Sequence, residues 1–272
     1  MTPEDLAFVA DLTLRHAGVI IRADKSFFVE TRLGPIARRE ALESVTQLVE
    51  RARSTGDETL TRQIVAATLV QDTSFFRDRA TFAHLQQTVL PALASRDKAP
   101  IRLLSAGCAT GQEAYTLAMV ALECLAPPRI DIVAIDFSAQ ALMKAETGVY
   151  SHFEVQRGLP IRSLLRHFEQ ADDHWKTRPD LRQSIRWEER NLLDDLSDLG
   201  AFDIVVCSHV LSTFESSAAA ETLDRLESVC RDDGLMVFGA NESVSPPAAF
   251  AATPTPGIWR RSSAFPRALS AG

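Results

Sequence analysis

Ser105-Ala-Gly-Cys-Ala-Thr-Gly-Gln-Glu-Ala-Tyr115 is the stretch on which the reading of this chain turns. It follows the apolar run Ile101-Arg-Leu-Leu104 and opens onto a helix-like segment, residues 114–125. A buried strand, a glycine loop and a helix in that order form a layout that holds nucleotide-like cofactors. Gly107 and Gly111 have no Cβ, so backbone amides there can come close to a ligand. Many strand-to-helix turns are glycine-rich for steric reasons alone, so the loop does not decide the matter by itself. It also lacks the Gly-x-Gly-x-x-Gly spacing, so a pyrophosphate is not indicated. Upstream, Gln71-Asp-Thr-Ser-Phe-Phe-Arg77 supplies a polar cluster and an arginine placed to close over such a site.

From the loop outward, the downstream pattern alternates strands and helices. Residues 101–106, 130–135, 204–207 and 235–239 are short apolar runs rather than alternating ones, as expected of parallel strands covered on both faces. Residues 185–189 make a further strand. Helices are expected over 114–125, 139–147 and 218–230, and Arg231-Asp-Asp-Gly234 reads as a turn into the next strand. Between residues 148 and 184 the rhythm breaks, which predicts an insertion at 151–184 carrying a small antiparallel element. Residues 245–257 read as an irregular loop, Ile258-Trp-Arg-Arg261 as a last strand, and 262–272 as a disordered tail.

Upstream of the loop, residues 1–72 read as a set of helices. Thr2-Pro-Glu-Asp5 carries a cap, a proline suited to the first helical position and acids at the positive end of the dipole. Leu6, Val9 and Leu12 give an apolar stripe, and Gly18 a stop. Residues 25–33 make a second helix that Gly34-Pro35 ends, and residues 35–42 begin a third. Residues 45–52 and 58–69 complete the set. The predicted fold is thus α/β: a small all-helical domain (1–72), then a Rossmann-like domain (73–261).

The 272 residues are 46% hydrophobic and 24% charged, ordinary globular values, with a formal net charge of −7. So acidic a chain is not expected to bind nucleic acid through its overall field. No apolar run approaches a membrane span, and the acidic start lacks the features of a secretory signal. The expected location is the cytoplasm. Cys108, Cys124, Cys207 and Cys230 are far apart and form no metal-binding pattern, so four reduced cysteines in or near the core are expected, and no metal.

Asp136 ends the strand after the glycine loop. An acid there can accept hydrogen bonds from both hydroxyls of a ribose, or it can cap the following helix, a task for which Ser138 competes. A ribose site without a phosphate clamp suggests S-adenosylmethionine. Glu113, just inside a helix start, either holds the cationic end of that cofactor or complements the helix dipole. Asn191 lies where an amide could meet the adenine edge; an ordinary loop asparagine is the competing reading.

At this point the chain resembles the CheR-type chemoreceptor methyltransferases, from about residue 5 to 261. The markers are Thr73-Ser-Phe-Phe-Arg77, residues 105–113, Ala134-Ile-Asp136, Gly148-Val-Tyr150, Asn191-Leu-Leu193, Phe202-Asp203 and Gly239-x-x-Glu242. The resemblance implies a helical N-terminal domain and a Rossmann-like domain with a small inserted β-subdomain. It also implies methyl transfer from S-adenosylmethionine to glutamate side chains in the cytoplasmic helical region of a chemoreceptor or related signalling protein, with S-adenosylhomocysteine as product. It carries cofactor contacts onto Gln71 (usually Asn), Thr73, Arg77, Glu113, Asp136, Asn191, His209 and Val210, to which the reading of the glycine loop adds Gly107. Where relatives read Cys-Arg-Asn-Val-x-Ile-Tyr-Phe, this chain reads Cys207-Ser-His-Val-Leu-Ser-Thr-Phe214. Those departures leave open a CheR-like regulator that binds cofactor or receptor but turns over weakly or not at all. Arg77 is expected to orient the substrate carboxylate or close the site, the alternative being an ion-pair partner for a nearby acid. For docking, Arg22, Lys25, Arg32, Arg38 and Arg39 outnumber Asp24 and Glu30 in the N-terminal domain. The insertion is the part that the resemblance associates with a receptor tether.

Overall fold

The computed structural model describes residues 1–96, 99–125 and 129–262. It divides into two compact units, Met1–Val70 with Thr213–Glu221, and Gln71–Ser212 with the chain from Thr222 onward.

The first unit is built on α1 (Pro3–Ala17), α2 (Ser26–Arg39), α3 (Val45–Thr55) and α4 (Glu58–Thr68). Thr2 and Asp5 cap α1 reciprocally, and Gly18 closes it in the left-handed conformation at φ 69°. The expected break at Gly34-Pro35 does not occur: α2 runs through Pro35. Val29, Leu33, Ile36 and Ala37 lie on its buried face, so the packing of both halves outweighs the backbone bond that proline cannot donate. These side chains join Leu6, Val9, Leu48, Val49, Leu60 and Ile64 in one core. The segment after Thr213 belongs here because Val19 bridges Phe214, the Ile20 amide donates to the Thr213 carbonyl (3.1 Å) and the Glu215 amide to that of Gly18 (2.7 Å).

In the second unit, α5 (Arg79–His84), a π-turn at Leu85–Val89 and α6 (Leu90–Arg96) precede β1 (Ile101–Ala106). Then come α7 (Gln112–Cys124), β2 (Ile130–Asp136), α8 (Ala139–Thr147), β3 (Val149–Ser151), α9 (His152–Gln156) and α10 (Ile161–His167). After them follow β4 (Phe168–Ala171), β5 (His174–Thr177), α11 (Pro179–Gln183), β6 (Ile185–Glu189), β7 (Phe202–Val206), α12 (Ser216–Ser228), β8 (Cys230–Val237), β9 (Phe250–Ala252) and β10 (Ile258–Arg261).

Among the described residues, one sheet has the order β6-β2-β1-β7-β8-β10-β9. Pairing is parallel from β6 to β8 and antiparallel through β10 and β9. The order changes direction between β1 and β7, the point at which open α/β sheets bind ligands beyond their carboxyl ends. Residues 231–234 do not turn into β8 but bulge within it: Cys230 pairs with Phe202 and Leu235 with Ile204. Residues 245–257 contain β9, fixed by buried Phe250 beneath the Arg261 guanidinium (5.4 Å). Residues 151–184 carry α9, α10, α11 and the strands β4 and β5, which with β3, beginning just before them at Val149, form a three-stranded antiparallel sheet β3-β5-β4. Phe75, Tyr150 and Phe168 meet edge to face at its base, each fully buried. The four cysteines are free, three of them buried. Ser262 donates its amide to the Ala249 carbonyl (2.7 Å), and the rest of the expected tail lies outside the described residues. No described helix is long and apolar enough to cross a membrane.

Candidate functional site

The carboxyl ends of β1, β2, β7 and β8 bring most of the expected residues together. Gly107 leaves β1 at φ 75°, and Ala109 and Gly111 also take left-handed conformations, at 48° and 90°. Four of the loop amides are committed to protein partners: Gly107 and Cys108 donate to the Ile135 carbonyl, Ala109 to Asp136 and Gly111 to the Cys108 carbonyl. Those four amides therefore serve to fix the loop, and the close approach that the glycines permit is to protein atoms in this structure. The glycines answer to packing instead. A Cβ on Gly107 would stand 2.7 Å from Val210, and one on Gly111 2.7 Å from Ala145 and 3.0 Å from Trp187.

Asp136 holds the loop in place. One carboxylate oxygen accepts from the Ala109 amide and the other from the Ser138 amide, both at 2.8 Å. Ser138 in turn caps α8. Asp136 thus ties the two strand ends together and retains lone pairs for further donors. Desolvation raises its pKa, against bonds from the Ser138 and Ala109 amides, the Gln71 side chain and the Phe137 amide. The Gln71 Oε1 atom is buried with no hydrogen-bond partner.

Glu113, in the first turn of α7, accepts from the Ser105 hydroxyl at 2.9 Å. Desolvation lifts its carboxyl to about 7. The Ser105 and Ser208 hydroxyls oppose the rise, and the charges of Asp78 and Glu242 add to it. Ser208, which replaces the arginine of the resembling pattern, therefore faces an acid with a hydroxyl.

His209 occupies a left-handed conformation (φ 59°), which asparagine and histidine tolerate better than most residues. Its amide donates to Glu242 Oε2 (2.6 Å), and its Nε2 lies 3.1 Å from Asp78 Oδ2. The ring rests on Gly239, where a Cβ would come within 2.5 Å. Glu242 also accepts from the Gly239 and Ser212 amides, both at 3.1 Å, and so shapes the whole turn after β7. Asp78 and Glu242 were not among the expected site residues. Their signals were the place of Asp78 beside Arg77 and of Glu242 in the Gly239-x-x-Glu242 marker.

Thr73 is half-buried, and the Phe76 amide three residues later donates to the Thr116 hydroxyl on α7 (3.1 Å). Arg77 is exposed and bonded to the Asp72 carbonyl (3.0 Å), its guanidinium 3.7 Å from the Asp72 carboxylate. Asn191 makes the local turn of the competing reading, accepting from the Leu193 amide (3.1 Å). In the helical unit, Arg22 and Lys25 share Asp24 at 3.8 and 4.0 Å, and Arg32 lies over Phe28.

The family model described as CheR methyltransferase, SAM binding domain, matches residues 71–256. The chain belongs to the CheR methyltransferase family. It is 30% identical over 239 residues to chemotaxis protein methyltransferase Cher2 of Pseudomonas putida, covering 85% of this chain and 87% of the relative. The figures are the same for chemotaxis protein methyltransferase 1 of Pseudomonas aeruginosa. Chemotaxis protein methyltransferase 1 of Vibrio cholerae is 30% identical over 236 residues, covering 85% of this chain and 86% of that one. The matched domain is a binding domain for S-adenosylmethionine, and the residues present suit that ligand: carboxylates for a cationic end, and Asp136 with an orphaned Gln71 acceptor for hydroxyl donors.

Proposed function

We propose that this chain methylates glutamate side chains in the cytoplasmic helical region of a bacterial chemoreceptor, with S-adenosylmethionine as donor. The supporting observation is the acidic cluster of Glu113 and Asp136 flanking the β1 loop, with the acceptor of Gln71 beside it. In this reading Asp136 and Gln71 take the ribose hydroxyls, Glu113 takes the cationic end, and Asn191 meets the adenine. Thr73, Gly107, His209 and Val210 complete the pocket wall, and Arg77 orients a carboxylate.

Bound S-adenosylmethionine supplies an electrophilic methyl group. A glutamate carboxylate is already ionised near neutral pH, so the protein need supply no general base. What remains is alignment and exclusion of water, worth up to ~7–11 kcal/mol in favourable intramolecular models. One test reads both cofactor binding and methyl transfer by this chain. Calorimetry with S-adenosylmethionine and S-adenosylhomocysteine is followed by labelled-methyl transfer to receptor cytoplasmic fragments. Binding with a base-labile label on the fragment is expected. Binding without label would make the chain a cofactor-sensing regulator, and the triple change Ser208→Arg, His209→Asn, Thr213→Tyr would then be expected to restore label.

A further inference from the structure

We propose that Arg77 and Arg157 form a two-arginine clamp for an incoming carboxylate, and that Asp72 fills it at rest. The inference rests on the methyl-transfer reading of the same site. One oxygen of the Asp72 carboxylate accepts from Arg157 Nη2 at 3.0 Å, and the other stands 3.7 Å from Arg77 Nη2. Each guanidinium thus faces one oxygen of a single carboxylate, Arg157 through a hydrogen bond and Arg77 through charge at longer range, so two cations converge on one anion.

Arg157 is held in place by its neighbours. A Cβ on Gly158 would fall 2.0 Å from the Phe75 carbonyl oxygen, so the chain of the inserted subdomain lies directly against the 71–77 segment. The Arg157 guanidinium also sits over Phe153 at 5.9 Å. Asp72, by contrast, is a replaceable occupant. The side chains of Arg77, Arg157 and Asp72 are 38%, 44% and 50% exposed, and ion pairs so exposed contribute little net free energy. Another carboxylate can therefore displace Asp72 at small cost, whereas the buried contacts of Asp136 are not exchangeable in this way. The strand end at Ser208 offers no guanidinium, so Arg77 on the 71–77 segment and Arg157 in the inserted subdomain together supply the carboxylate recognition. The displacing group is either the target glutamate side chain or the carboxylate of the cofactor.

The test compares the wild type with Asp72→Asn, Arg157→Ala and Arg157→Lys. It measures Kd for S-adenosylhomocysteine by calorimetry and KM for a receptor cytoplasmic fragment. Asp72→Asn removes the resident competitor and is expected to tighten one of these constants roughly 2–5-fold. Arg157→Ala is expected to weaken the same constant, with Arg157→Lys in between because it keeps the charge and loses the fork. A change in KM alone assigns the target glutamate; a change in Kd alone assigns the cofactor carboxylate. If Asp72→Asn weakens binding or leaves both constants unmoved, while the wild type binds and transfers, the clamp is overturned and the methyl-transfer reading stands. If the wild type neither binds the nucleoside nor transfers methyl, both fall.

Discussion

Lowering the pH from 8 to 6 should weaken S-adenosylhomocysteine binding about tenfold, through Glu113. Its carboxyl is lifted to about 7 by desolvation, despite the Ser105 and Ser208 hydroxyls. In its proposed role it meets the ligand's cationic end as a carboxylate. At pH 6 the free protein must first lose a proton from Glu113, and that penalty of about one pKa unit is ~1.4 kcal/mol. Above pH 8 the penalty vanishes. Calorimetry at pH 6, 7 and 8, in two buffers of different ionisation heat, reads both the affinity and the proton released on binding. Glu113→Gln should bind more weakly at pH 8 and lose the pH slope. The same residue sets a stability trend of definite sign. Its folded pKa lies above the ordinary 4.5, so its contribution is present below pH 4.5 and is lost as pH rises through about 7. Glu113→Gln should remove that loss, up to about 3 kcal/mol, from urea unfolding curves. A wild-type affinity flat from pH 6 to 8, with no buffer-dependent heat, would refute the argument.

Two further outcomes concern the scaffold. Phe75→Ala should cost about 3–5 kcal/mol in chemical unfolding, because the ring is fully buried edge-on to Tyr150 and Phe168. Pro35→Ala should stabilise the helical unit by about 1–3 kcal/mol, since Pro35 is exposed inside α2 and alanine restores a backbone donor; a loss of stability would contradict the continuous helix.

The apolar runs at β1, β2 and β7 made the parallel sheet legible, because strands buried on both faces leave no alternation to misread. Gly34-Pro35 misled, because local propensity says nothing of the core that holds Leu33 and Ile36 on one face. Residues 79–96 received no element in advance, although Phe82, Leu85 and Val89 recur at helical spacing and are buried. In the site, the glycine loop was legible as a loop but not in its purpose, since the Ile135 carbonyl and Asp136 that consume its amides arrive from another strand. The same limit hid the pairing of His209 with Asp78 and of Arg157 with Asp72. Each joins residues far apart in the chain that no periodicity links.

The return of Thr213–Glu221 to the helical unit bears on how the protein can be recombined. A chimaera that swaps residues 1–70 between two relatives leaves Gly18, Val19 and Ile20 facing a foreign edge in place of Thr213, Phe214 and Glu215. Gene shuffling that respects this architecture must exchange both stretches together, and a library cut once at residue 70 would be enriched in misfolded hybrids.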